Sequence, residues 1–147
     1  MRWFSIALFA LACTRGAKSP EEARALVAAG DPRVIYDLVD TQTRWSIDAT
    51  FKYHQQALSA IEESYPSDVQ AREKARFVDG DDVRAFLSAY DGRYRVIASG
   101  DKNALVQESG RWRWSGMRPQ WDDIKLRASH DLDTVRESAA AYKRAAK

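Results

Sequence analysis

TQTRWSIDATFKYHQQALSAIEESY, residues 41 to 65, decides how this chain is organised. Ile47, Phe51, His54, Leu58, Ile61 and Tyr65 follow one another at intervals of four, three, four, three and four. On an α-helix that spacing brings all six to one side as a core-facing stripe. The pattern predicts a helix over 41–64. Pro66 ends it, because proline lacks the amide hydrogen that the next turn requires.

Working outward toward the N-terminus, Ser19-Pro20-Glu21-Glu22 reads as a helix start: a serine cap, proline in the first turn and glutamate three after the cap. Ala23, Leu26 and Val27 supply an apolar face, and Gly30 is a natural stop. Asp31-Pro32 opens a second short helix carrying Val34, Ile35, Leu38 and Val39. In the other direction, Ser67 with Gln70 has the form of a capping box before a helix of about ten residues. Asp81 or Asp82 is placed to cap a further helix with Val83, Phe86, Leu87 and Tyr90.

After Asp91-Gly92 the period changes from helical to two. YRVIA at 94–98, ALVQE at 104–108 and RWRWS at 111–115 are separated by turn-forming residues, including Gly100-Asp101-Lys102-Asn103 and Ser109-Gly110. Alternation with such breaks predicts a three-stranded antiparallel meander. From Pro119 on, Trp121, Ile124, Ala128, Leu132, Val135, Ala139, Tyr142 and Ala146 form a helical stripe. That predicts one long amphipathic helix, or two with a break near Ser129-His130. The expected fold class is therefore α+β: a helix-rich single domain at 19–147 with a small three-stranded meander and a long C-terminal amphipathic helix.

Composition narrows the function. Of 147 residues, 23 are Lys or Arg and 21 are Asp or Glu, a formal net charge of +2. Near-neutrality argues against nucleic acid as a partner. The single cysteine, Cys13, excludes an internal disulfide and a multi-cysteine metal cluster within one chain. The longest charge-free opening, Trp3 to Thr14, falls short of the roughly 20 residues that span a bilayer.

That opening, MRWFSIALFALAC, has a basic residue, a short apolar run and small residues before a cysteine. Ala10-Leu11-Ala12-Cys13 resembles the lipobox of bacterial lipoprotein signals. The resemblance implies that residues 1–12 are removed as a signal peptide and that Cys13 carries diacylglycerol on its sulfur and an acylated amino terminus. It implies export to the cell envelope. Thr14, where an aspartate would signal inner-membrane retention, favours the outer membrane. Residues 13–18 become the lipidated cysteine and a short tether. Loss of Arg2 leaves one net positive charge, so attachment comes from acyl chains, at about 0.8 kcal/mol per buried CH₂, and not from charge.

Candidate chemistry is sparse. GRWRWSGMRPQW at 110–121 interleaves aromatics with arginines. Alternation on a strand puts Trp112 and Trp114 on one face and Arg111 and Arg113 on the other. Arg111, Arg113, Arg118 and Trp121 are candidates for a surface that meets a protein, glycan or lipid headgroup. His54, beside Tyr53, faces the interior either as a hydrogen-bonded core histidine or as a pocket group. His130-Asp131-Leu132-Asp133 has poor spacing for one metal site, since Asp131 points away from the face shared by His130 and Asp133. Asp79-Gly80-Asp81-Asp82 lacks the rest of a calcium loop. No catalytic residue, metal or cofactor is expected.

AGDPRVIYDLVDTQTR at 29–44 and ALVQESGRWRW at 104–114 resemble stretches of the NTF2-like or cystatin-like α+β fold. That resemblance implies a cone of helices and curved sheet with a pocket, here near His54. The expected function is a membrane-anchored envelope lipoprotein that binds or scaffolds another envelope component without catalysis. Its partners are membrane lipid, through Cys13, and a second envelope component. The alternatives are a small-molecule-binding domain or enzyme using His54, and an assembly subunit docking through the C-terminal stripe.

Overall fold

A computed structural model describes residues 16–77 and 100–147. Cys13, the expected helix at Val83 to Tyr90 and the expected strand at 94–98 lie outside the described residues. Five helices and two strands are described: α1 (Pro20–Ala29), α2 (Pro32–Leu38), α3 (Thr41–Ser64), α4 (Ser67–Phe77), β1 (Leu105–Glu108), β2 (Arg111–Trp114) and α5 (Arg118–Ala145).

The helix boundaries follow from local chemistry. Ser19 Oγ accepts the amide of Glu22 at 3.1 Å, and the Glu22 carboxylate accepts the amide of Lys18 at 2.6 Å. Gly30 closes α1 in the left-handed region at φ 73°. Asp31 caps α2 through the amide of Arg33. The capping box expected at Ser67 does not form. Ser67 is already helical, and the Gln70 amide reaches back to the carbonyls of Glu62 and Tyr65. The last carbonyls of α3 have no acceptor role inside their own helix, and Gln70 satisfies two of them.

α3 and α5 form the body of the fold, and they run in the same direction. Ser46 meets Asp122, Gln56 meets Arg136 and the Tyr65 ring packs on Tyr142, so contacts advance together along both helices. α5 is one continuous helix of 28 residues, unbroken at Ser129-His130. Its buried residues are Trp121, Ala128, Leu132, Val135 and Ala139, as the stripe predicts. On α3 the buried line is Ile47, Thr50, His54, Ala57 and Ile61, while Phe51 and Leu58 are half-buried. The seam is thus rotated from the apolar residues toward smaller ones. Two long helices approach closely over Thr50 and Ala57, and the larger Phe51 fits beside the seam. Thr50 is tolerated there because its hydroxyl bonds to the Ser46 carbonyl at 2.7 Å.

Two apolar clusters lie along the pair. One, nearer the strands, joins Val27, Ile35, Leu38, Val39, Ile47, Trp114, Met117 and Trp121. The other joins Ala57, Ile61, Tyr65, Leu132, Val135 and Ala139.

The sheet has two strands among the described residues, not the expected three. β1 and β2 pair antiparallel with Gln107 opposite Trp112. The other edge of β2 is occupied by single bridging residues. Ala17 exchanges two hydrogen bonds with Trp112, at 2.8 and 2.9 Å, and the Asp40 amide donates to the Trp114 carbonyl. Gly16 has φ 104°, and a Cβ there would stand 2.9 Å from the Cβ of Arg111, so glycine lets the chain press onto β2. The alternation reads correctly on β2: Trp114 is fully buried, and Trp112 packs on the first cluster.

The β1–β2 turn has Ser109 at φ 50° and Gly110 at φ 75°. Both central residues are left-handed, the geometry of a type I′ hairpin turn. Gly110 adopts it freely, whereas Ser109 does not. Asn tolerates this region better than Ser. Ser109→Asn is therefore expected to raise stability by up to about 1 kcal/mol, read as a higher denaturation midpoint at unchanged slope.

Candidate functional site

The most tightly organised polar group joins the starts of α3 and α5. Asp40, fully buried, caps α3: its carboxylate accepts the Thr43 amide at 3.0 Å and the Thr43 hydroxyl at 2.5 Å. The same carboxylate takes the Arg118 guanidinium, with Nε at 3.2 Å and the terminal nitrogen at 3.1 Å. Asp40 is thereby saturated by neighbours within the fold. Arg44, one turn on, donates to the carbonyls of Tyr36 and Asp37 at 2.9 and 2.8 Å and lies over the Tyr36 ring. It closes the carbonyl end of α2 as a cation at a helix C-terminus does.

Asp122 makes the next link. It accepts the Ser46 hydroxyl at 2.6 Å and the Gln42 amide at 3.2 Å, with Lys125 3.7 Å away. The Ser46 hydrogen bond, helped by Gln42 and Lys125, holds its carboxyl below the usual carboxylate range against the opposing effect of burial. Lys125 also sits 4.1 Å from the ring centre of the exposed Trp45. Thr41, at the first turn of α3, donates to Glu108, which pairs in turn with Arg113 at 3.0 Å.

His54 lies in the middle of the α3–α5 seam and is 4% exposed. Burial pushes its pKa down, and the Asp131 carboxylate on α5 partly offsets this. Tyr53 is half-buried against the second apolar cluster. The open groove beside this seam, about 380 Å³, is walled by Lys52, Gln55, Gln56, Ser59, Ala60, Glu63 and Arg136. His54 is not part of its wall. The groove is polar, and its members are exposed helix-surface residues apart from the half-buried Gln56 and Ala60.

The six residues singled out for a ligand or partner surface do not converge. Tyr53 and His54 belong to the seam. Arg118 is held on Asp40. Trp121 is 1% exposed inside the first cluster, which removes it from any surface. Arg111 and Arg113 share the other side of β2, both half-buried, and Arg113 is paired. Of the His130–Asp133 run, Asp131 is the residue turned toward α3, while His130 and Asp133 are exposed. Among the described residues no group of three His, Cys, Asp or Glu side chains is placed to hold a metal ion. Among them, too, no helix is long and apolar enough to cross a membrane. Asp123 and Arg127 form the ordinary i,i+4 pair that their spacing suggests, at 3.1 Å.

Comparison with protein-family models, with curated proteins and with solved structures finds no match for this chain.

Sequence reading passed over Asp40, Arg44, Asp122 and Ala17. Asp40 had a visible signal, since an aspartate directly before a helical stripe is a strong N-cap. The partners of Asp122 have no local signature, because they lie 76 and 80 positions away.

Two measurements test this arrangement. Asp40→Ala removes a cap and a charge-assisted bond to Arg118, and should cost about 2–3 kcal/mol in chemical denaturation. Arg118→Ala should cost less, because the two Thr43 donors still satisfy the buried carboxylate. The lowered His54 pKa has a definite sign. As pH falls below about 6.5, unfolded chains take up the proton first, so the native state loses stability until His54 itself protonates. The denaturation midpoint should therefore fall between about pH 7.5 and about pH 5.5, and His54→Leu should flatten that fall.

Proposed function

We propose that this protein is a lipid-anchored lipoprotein of the bacterial envelope, acylated at Cys13, with a non-enzymatic binding or scaffolding role. Ala10-Leu11-Ala12-Cys13 after a short apolar run is the observation that carries this reading. The thiol then serves as an attachment point, its sulfur held in a thioether to diacylglycerol. Attachment strength comes from the acyl chains, which bring about 0.8 kcal/mol for each buried CH₂.

The fold supports the placement of the anchor. The tether expected at 14–18 is shorter still, because Ala17 is already hydrogen-bonded into the sheet edge. Three residues separate Cys13 from Ala17, four Cα steps with a reach of at most about 14 Å when extended. A domain held so closely works at the membrane surface.

A non-enzymatic role is supported by how the polar residues are used. Asp40, Arg44 and Asp122 are engaged with partners inside the fold, and His54 is enclosed between two apolar clusters. Each has a structural use, and among the described residues they do not converge as acid, base and nucleophile around the groove. The alternative pocket at His54 finds no support in the groove, whose wall lies on the outer side of α3. The alternative docking stripe on α5 is applied to α3 from Trp121 to Ala139.

Metabolic labelling with a fatty-acid probe tests the anchor. The wild-type chain should incorporate label in the membrane fraction, and Cys13→Ala should incorporate none. Absence of label from both overturns the reading.

A further inference from the structure

Where the chain leaves its tether, Lys18 follows the bridging residue Ala17, and Arg111 precedes that residue's partner Trp112. Ala17 pairs antiparallel with Trp112, so the register sets residue 18 beside residue 111. Ala17 turns inward and is 1% exposed, which places its neighbours Gly16 and Lys18 on the opposite side with Arg111 and Arg113, where Lys18 is exposed and both arginines are half-buried. Gly16 lies tightly against both arginines. The acids nearby are engaged. Glu108 pairs with Arg113 and bonds to Thr41, Glu21 pairs with Arg24, and Glu22 accepts the Lys18 backbone amide. Among the described residues, neither the Lys18 ammonium nor the Arg111 guanidinium has an acidic partner.

We infer that this side of the hairpin, at Lys18 and Arg111, rests on the anionic phospholipid headgroups of the membrane that holds Cys13. The inference rests on the anchor reading above and goes beyond it, since an anchor alone leaves the domain free to turn. The short tether keeps the Lys18 backbone within about 18 Å of the lipidated cysteine, with Arg111 one strand spacing, about 5 Å, beyond it. Attraction between a cation and an anionic surface decays over a screening length of about 8 Å at physiological salt, so a tether this short holds the charges near the range where the surface acts. Each charge should favour the seated state about fivefold. The guanidinium also forms paired hydrogen bonds with phosphate oxygens, a geometry that matches the planar Arg111 head. α3 and α5 begin beside the same sheet, so seating it on the membrane directs Tyr65 and Tyr142, at their other ends, away from the headgroups.

The test uses the acylated mature chain, which begins at Cys13, in vesicles of phosphatidylethanolamine and phosphatidylglycerol. Cys13 is consumed by lipid, so an introduced cysteine is the only free thiol. A fluorophore at Ser109→Cys, in the turn next to Arg111, is compared with one at Ser138→Cys on α5, with a quencher on the lipid headgroup. The Ser109 probe should be quenched several-fold more than the Ser138 probe. The difference should shrink with added salt, in phosphatidylcholine vesicles, and in a Lys18→Glu, Arg111→Glu variant. Equal quenching of both probes, or a difference indifferent to salt and to charge reversal, overturns the headgroup contact while leaving the anchor intact. Absence of acyl label in the same preparation overturns the anchor, and the contact with it.

Discussion

The carboxylate of Asp40 is the constraint on which the remaining structure depends. It is fully buried, it ends the bridging residue pair Val39-Asp40 at the sheet edge, and it begins α3 as the cap. Arg118, the first residue of α5, binds the same oxygen as the Thr43 amide. One side chain thus fixes the starting points of two helices that are far apart in sequence. Once both starts are held, the direction of packing follows: α3 and α5 run alongside each other from a common origin. Burying such a charge is costly without partners, and here three donors from two helices supply them.

The parallel arrangement explains the placement of the smaller elements. A chain that has descended α3 must return before it can descend α5. α4 makes the first part of the turn and is fastened by Gln70 and Lys74 to the end of α3. The hairpin makes the last part and delivers Met117 and Arg118 beside Asp40. Trp114 sits at the junction, fully buried, with its indole N–H donated to the Asp101 carbonyl at 2.6 Å. The sheet is small because its task is local. It joins the entering chain at Ala17, the α2–α3 junction at Asp40 and the start of α5 in one hydrogen-bonded strip.

This geometry also gives the two ends of the molecule different characters. The strand end carries the entering chain with Lys18 and Arg111, which have no acidic partner among the described residues. The other end carries the tyrosine pair and the charges of α4, where burial and the nearby Glu73 carboxylate push the Tyr65 phenol up. In between, the seam is narrow and partly polar, with Thr50 and His54 on one side and Asp131 on the other. A buried histidine in such a seam resists protonation because the low-dielectric surroundings disfavour the cation more than one carboxylate stabilises it.

The sequence by itself determined the elements whose causes are local. Ser19-Pro20-Glu21-Glu22, Gly30 and Asp31-Pro32 set their boundaries because caps and stops act within a few residues. The stripes from Ile47 and from Trp121 announced two long amphipathic helices, and the alternation at 111–114 sorted tryptophan from arginine. The lipobox-like run at Cys13 is also a pattern of adjacent residues, and the acylation it suggests is a proposal. Only the tertiary structure decided what those stripes face and in which direction. The seam shifted from Phe51 and Leu58 to Thr50 and Ala57 because close helix approach favours small residues, which hydrophobic spacing cannot reveal. Gln70 left its expected cap to satisfy carbonyls of another helix. The far edge of β2 is held by Ala17 and by the residues before α3, since pairing across a sheet edge is chosen by whatever backbone the fold brings there, while the strand expected at 94–98 lies outside the described residues. Asp40 and Arg118 are 78 residues apart, and nothing local to either names the other.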